Sequence, residues 1–300
     1  MSPHEGNSNC RSVRTAEFLE VEDNRGFLKL PEPNSADVFF DIEGARHAPG
    51  GGLEYLLGYV LNDTDTASFH EHWAFNRSQE KAAFETFVDF VTERWRQHPG
   101  MHVYHYAHYE KTAMKQLAMR HGTRENEVDQ LLRAKKFIDL YAVVRQSLIA
   151  SVESYSIKRL EPFYNFKRDA ELAEAQHGLQ RLERSLELDN PDAVQSQDQD
   201  IVRKYNKDDC VSTLELRNWL ETLRQQHVEA GQGMPRPELR DGSASDAIEE
   251  RNDAVSQVFE RLVEGLPESD RTQNQQARWL LAPGRDFQRV RNDCQPCPVE

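Results

Sequence analysis

The chain has 300 residues, 38% hydrophobic and 29% charged, with a formal net charge of −14 and a mean hydropathy of −0.79. That length suits one large domain with appendages, and the negative charge excludes a sequence-wide basic footprint for nucleic acid while leaving room for a local cationic groove. Cys10, Cys210, Cys294 and Cys297 make neither a disulfide framework nor paired zinc knuckles, and no apolar run could span a membrane, so a reduced, cytoplasmic protein is expected.

Residues 1–30 read as a flexible N-terminal arm, ending in the Pro-restricted stretch Leu30-Pro31-Glu32-Pro33. Asp37-Val38-Phe39-Phe40-Asp41-Ile42-Glu43-Gly44 then alternates as a strand does. Val38, Phe40 and Ile42 point to one face and Phe39, Asp41 and Glu43 to the other. Strands over 53–61 and about 67–74 follow, joined by the turn chemistry of Asn62-Asp63-Thr64-Asp65, which predicts an antiparallel meander. A helix from Ser78, with Phe84, Phe87, Val88 and Val91 on one stripe, leads to a short fourth strand over 101–106. That crossover predicts a mixed sheet of about five strands, helices on both faces and the Asp41 strand central.

Further helices are predicted from Tyr109, over 124–133, over 139–149, in the short piece 156–163, over 170–188, and over about 198–229. The C-terminal part of this α/β chain is therefore mainly helical. From Gly231 the composition turns to Pro, Gly and Ser, so 230–300 reads as a polar linker and partly helical tail. One helix is expected near 246–266, and Ala277-Arg278-Trp279-Leu280-Leu281 is the last ordered-looking stretch.

Three places carry chemistry. Asp41 and Glu43 put two carboxylates on one face at the end of a hydrophobic strand. Buried carboxylates must find a cation, a metal or a proton, although a strand end meeting solvent accounts for the pair equally simply. Glu110 stands where the fourth strand hands over to a helix, a place that the helix dipole favours for an acid in any case. His105 and His108 nearby do not assemble a zinc set and read as hydrogen-bonding groups. In the last helix, Tyr205 and Asp209 are four residues apart and share a face, with Asp208 alongside.

Taken together, these stretches resemble the ribonuclease-H-like 3′–5′ exonucleases, and within them the subgroup with a tyrosine four residues before the last acid. Phe137-Ile138-Asp139-Leu140-Tyr141, followed by Ser154-Tyr155-Ser156-Ile157-Lys158-Arg159-Leu160-Glu161, is similar to the segment preceding the family's last acidic helix. At closer range the chain resembles the ribonuclease-H-like domain of bacterial multi-domain proteins, where such a domain follows a RecB-like nuclease domain and can precede a helicase. The resemblance implies a catalytic domain over 31–229. Its metal ligands would be Asp41, Glu43, Glu110 and Asp209, holding two Mg²⁺ or Mn²⁺ ions, and Tyr205 would orient the attacking water. Glu110 stands where the family usually has Asp. The tail from Pro283 to Glu300 departs from the family's continuation, so truncation of a longer protein is expected.

The implied reaction is metal-dependent 3′–5′ hydrolysis of single-stranded DNA or RNA ends. The alternative is a catalytically weak nucleic-acid-binding or scaffold module beside a nuclease or helicase. Lys158, Arg159, Tyr106 and His105 are the candidate substrate contacts. Lys158 and Arg159, with Lys167, Arg168 and the aromatics between them, form the only basic concentration near the site, a mixture that can track phosphates and stack bases. It equally describes cations snorkelling over an aromatic core. Asp139 reads as a helix N-cap near the site and Asp208 as an outer or solvent-facing acid.

Overall fold

A computed structural model describes residues 15–62, 67–243, 257–258, 260–267 and 271–281. Strand β2 (Val38–Ala45) is the middle of a five-stranded mixed sheet. It pairs antiparallel with β3 (Leu53–Leu61), which pairs antiparallel with β4 (Ser68–Trp73). On its other side β2 runs parallel to β5 (Val103–His105), and β5 parallel to β6 (Phe137–Asp139). The expected meander, crossover and central Asp41 strand are all present. The turn expected at 62–65 lies mostly outside the described residues, as do Cys10, Cys294 and Cys297 and most of the helix expected near 246–266.

The alternation along β2 sorts its neighbours. Val38, Phe40 and Ile42 pack against Phe84, Phe87, Val88 and Val91 of α1 (Arg77–Gln97), and against apolar residues of α2 (Tyr109–His121) and α3 (Glu125–Arg133). Phe39 faces the opposite core with Tyr104, joined by α4 (Leu140–Ser147), α5 (Ile157–Leu160) and α7 (Ser196–Glu229). Asp41 and Glu43 share that face, so α7 is the helix that reaches them. Between α5 and α7, α6 (Leu172–Glu187) lies along α7, where Gly178 lets Ile201 approach; a Cβ there would stand 2.7 Å from the isoleucine methyl.

Helix α7 is pinned to β2 at two points about three turns apart. Near its middle, Asn206 donates to Asp41 Oδ2 at 2.8 Å. Further along, Arg217 donates to the buried Asp37 at 2.7 Å while its guanidinium lies over Phe39 and Tyr104. Two buried polar side chains in an apolar stripe thus find partners in β2 and in the residue just before it, which fixes the helix's position along the strand and its rotation. Close contact needs Gly58, which faces Asp41 across β3: a Cβ there would fall 1.7 Å from Asn206 Oδ1. Cys210, a buried free thiol one turn after Asn206, donates to the Gly58 carbonyl at 3.4 Å.

Three local expectations differ from the structure. Phe137–Asp139 is strand β6, and the helix expected from 139 begins at Leu140 and ends at Ser147. Leu148–Ala150 forms a further strand, β7, paired antiparallel with β1 (Ala16–Phe18). Residues 16–30, assigned by composition to a flexible arm, are bound to the domain: Phe27 and Leu30 are buried against α4 and α7 residues. The linker composition from Gly231 does give extended chain, but Met234 is buried. Arg236 grips Glu221 and the Leu30 and Pro31 carbonyls, and Arg133 holds the Gly242 carbonyl. Beyond it, Gln273–Leu281 is helical (α8).

Gly58→Ala should cost about 1–3 kcal/mol, the usual range for overpacking a dense contact, and should loosen α7 at Asn206. Urea denaturation measures it; an unchanged midpoint would contradict the close approach described.

Candidate active site

Asp41, Glu43 and Asp209 converge: each offers a carboxylate oxygen, and the three oxygens lie within 4.8 Å of one another. Two come from the same face of β2 and the third from α7, four residues after Tyr205. Asp208, its neighbour, is carried away by the helix and accepts from the Ala170 backbone N–H at 2.8 Å, so it is a buried anchor for the segment entering α6 and not a solvent-facing acid.

Three like charges this close need compensation. Asp209 has two cations. Arg168 donates to its Oδ1 at 2.6 Å, and the Lys158 ammonium stands 3.3 and 3.4 Å from its two oxygens. Arg168 is also bonded to Glu161, which accepts from Ser212, whose hydroxyl pairs with Tyr164. Among the described residues Asp41 has one hydrogen-bond partner, the neutral amide of Asn206, and only a weak influence from Lys158. Burial, then Glu43, Asp209 and Glu110, accordingly push the Asp41 carboxyl well above its ordinary range. Burial and Asp209 push Glu43 up to about 8.

Glu110 is in the first turn of α2 and buried, but stands outside the three-carboxylate cluster. Its Oε2 is 3.3 Å from His105 Nδ1 without hydrogen-bond alignment, and among the described residues that oxygen and both His105 ring nitrogens have no hydrogen-bond partner. Such an orphaned buried carboxylate oxygen costs free energy unless something further binds it. Asp139 caps α4 at the Ala142 N–H, as expected. It also accepts from Ala107, whose φ of +76° marks the tight turn between β5 and the Glu110 helix.

Tyr205 lies at the cluster with its ring beneath two cations, Lys158 at 4.8 Å and Arg168 at 5.7 Å from the ring centre. Burial and the Asp209, Glu43 and Asp41 carboxylates push its phenol upward. Tyr205 therefore keeps its proton at neutral pH in the metal-free protein and presents a neutral hydroxyl to the cluster.

The four candidate substrate contacts divide. Lys158 is at the carboxylates, and Tyr106 is half-buried, its hydroxyl given to the Tyr155 carbonyl and its ring edge-on to Tyr141. His105 and Arg159 need correction. His105 has no exposed surface and faces Glu110, so it meets no substrate directly. Arg159 points outward and pairs with exposed Glu153 at 3.2 Å. Sequence reasoning missed Asn206, and named Arg168 only within a basic run. Neither has a signal of its own, since each matters through partners distant in sequence.

The RNase_H superfamily model matches residues 38–221, more than half of the chain, and the chain belongs to that superfamily. Neither a curated protein nor a solved structure gives a significant match. The superfamily is one of nucleases that work on nucleic acid with divalent metal, and the matched span contains Asp41, Glu43, Glu110 and Asp209. The donor set fits that chemistry: the clustered donors are hard carboxylate oxygens, the preference of Mg²⁺ and Mn²⁺ and not of zinc.

Proton linkage gives a test. Glu43 and Asp41 hold protons in the folded protein at pH values where the unfolded chain has released them. The stability this gives is full below about pH 4.5 and is lost as pH rises towards 8. In chelator, the melting temperature should therefore fall across pH 5–8, and saturating Mg²⁺ should reduce that fall. Asp41→Asn should flatten it without metal. A wild-type melting temperature that rises across this window in chelator would contradict the crowding.

Proposed function

We propose that the protein is a metal-dependent 3′–5′ exonuclease acting on single-stranded nucleic-acid ends. Residues 31–229 would be its catalytic domain, braced by the segments 16–30 and 231–243. The convergence of Asp41, Glu43 and Asp209 beside Tyr205 is the observation that carries this reading. Bound at these carboxylates, divalent cations would supply an acidic water and neutralise charge on the phosphate. Asp41, Glu43 and Asp209 would hold one ion, and Asp41 with the orphaned oxygen of Glu110 a second.

The protein's own groups do the rest. Asn206 fixes the Asp41 carboxylate through Oδ2, which would leave Oδ1 for a cation. Arg168 fixes Asp209. Tyr205, protonated, would align the water for attack along the phosphorus–oxygen axis. On the Glu110 side, Lys111 and Lys115 share one face of α2, and Lys135 follows α3. Burial and the nearby Lys115 lower the Lys111 pKa, with Lys135 adding to the effect. Among the described residues none of these three lysines has an ion-pair partner. In a chain of net charge −14, Lys111, next to Glu110, with Lys115 and Lys135 near it would supply a local cationic surface for a phosphate backbone.

End-labelled single- and double-stranded DNA and RNA, incubated with the chain in Mg²⁺, Mn²⁺ or chelator, test this. Single strands should shorten from the 3′ end with either metal and stay intact in chelator. Asp209→Asn should lose activity by several orders of magnitude, and Tyr205→Phe roughly 10²–10⁴-fold with unchanged metal affinity. Asp208→Asn should keep activity and fold, because its amide oxygen can still accept from the Ala170 N–H. Metal-independent cleavage, or an Asp209→Asn variant as active as wild type, would overturn the reading.

A further inference from the structure

We propose that Lys158 is a displaceable counter-ion. Its ammonium holds the carboxylate cluster together until a divalent cation binds, then withdraws from Asp209 and turns to the substrate phosphate. The inference rests on the metal-dependent reading of the same site and adds a residue whose position changes with occupancy.

The two cations on Asp209 are held very differently. Arg168 has 6% of its side-chain surface exposed, donates at 2.6 Å, and is tied at the same time to Glu161. It is built into the core, and its departure would take away the charge partner of Glu161. Lys158 is 30% exposed and sits at 3.3 and 3.4 Å, astride both Asp209 oxygens at longer range than an optimal charge-assisted bond. Among the described residues Asp209 is its only hydrogen-bond partner. Its charge lowers the carboxyl pKa of both Asp41 and Glu43, so the ammonium faces the whole cluster and not Asp209 alone.

That is the region a divalent ion shared by the three carboxylates would enter. Arg168 occupies Oδ1, which leaves Oδ2 of Asp209 for the ion, and Lys158 lies 3.4 Å from that oxygen. An ion at a normal oxygen distance of about 2.1 Å from it would stand within a few ångströms of the ammonium. At that range a dipositive ion and an ammonium repel strongly in a partly buried site. The long, unbranched lysine chain on the short helix α5 can move aside. Its ring contact with Tyr205 keeps it next to the group that orients the water, where the anion it next meets is a phosphate oxygen.

Two measurements on the full-length chain test this. In the first, amine acetylation of wild-type protein is followed by mass spectrometry. Lys158 should react several-fold faster with saturating Mn²⁺ than in chelator, while exposed Lys29, on the segment before β2, keeps its rate. An unchanged Lys158 rate would overturn the proposal. In the second, Mn²⁺ is titrated calorimetrically without nucleic acid. Lys158→Met, which nearly keeps the length and drops the charge, should bind Mn²⁺ about tenfold more tightly, since one opposing charge is gone. It should also hydrolyse more slowly at saturating metal. Lys158→Arg, which keeps the charge, should bind no tighter than wild type, and serves if the Met variant does not fold: tighter binding by it would count against the proposal. Mn²⁺ binding by Lys158→Met that is unchanged or weaker would refute the exchange while leaving the metal site standing. A wild-type chain that takes up no Mn²⁺ at all would instead remove the metal site and this proposal together.

Discussion

The structure depends on holding three carboxylates within 4.8 Å of one another at the end of a hydrophobic strand. Left to themselves, such charges would separate, draw in water or take up protons. Here each has a particular restraint. Asn206 holds Asp41 by a neutral amide and also interacts with Glu43, Arg168 and Lys158 hold Asp209 by charge, and burial beside Asp209 still pushes Glu43 up to about 8. The unequal treatment defines a binding site. Compensation is strongest at Asp209 and weaker at Asp41 and Glu43, so the cluster could take up an added cation on the β2 side.

Much of the remaining fold serves that arrangement. Gly58 removes the side chain that would keep α7 off the sheet, and the Asp37–Arg217 pair fixes the helix further along. Lys158 and Arg168 come from the chain between α4 and α6, so the site is complete only when that segment lies over α7. Asp208, next to Asp209 in sequence, fastens the end of this segment through Ala170. One short run of α7 thus faces the carboxylates with Asp209 and secures the strap over them with Asp208. On the opposite side, Asp139 plays a similar part for the turn that carries Glu110.

What was legible in the sequence follows from the range of the interactions involved. Asp41 and Glu43 share a face because side chains alternate along any strand, and Tyr205 with Asp209 because four residues make nearly one helical turn. Both are local rules, and the structure obeys them. Strand β6 has three residues and exists through its pairing with β5, and β1 finds β7 across more than a hundred residues. Neither length nor pattern announces such pairings. His105 was misjudged because a histidine's burial depends on what packs over it. Lys158 and Arg159 look alike in sequence, but successive residues on a helix diverge by about 100°: one meets Asp209 and the other Glu153. Asn206 and Arg168 are the least legible of all, since their roles exist only once Asp41 and Asp209 are brought to them.

Anomalous diffraction from crystals soaked in Mn²⁺ tests the central claim most directly, that these three carboxylates form one cation site on a scaffold already in place. The account predicts a peak about 2.1 Å from an oxygen of each of Asp41, Glu43 and Asp209, with Asn206 and Arg168 still on their partners and β2 and α7 unmoved. Crystals in which the ion sits elsewhere, or in which Asp209 turns away from Asp41 and Glu43 to leave the cluster dispersed, would contradict it.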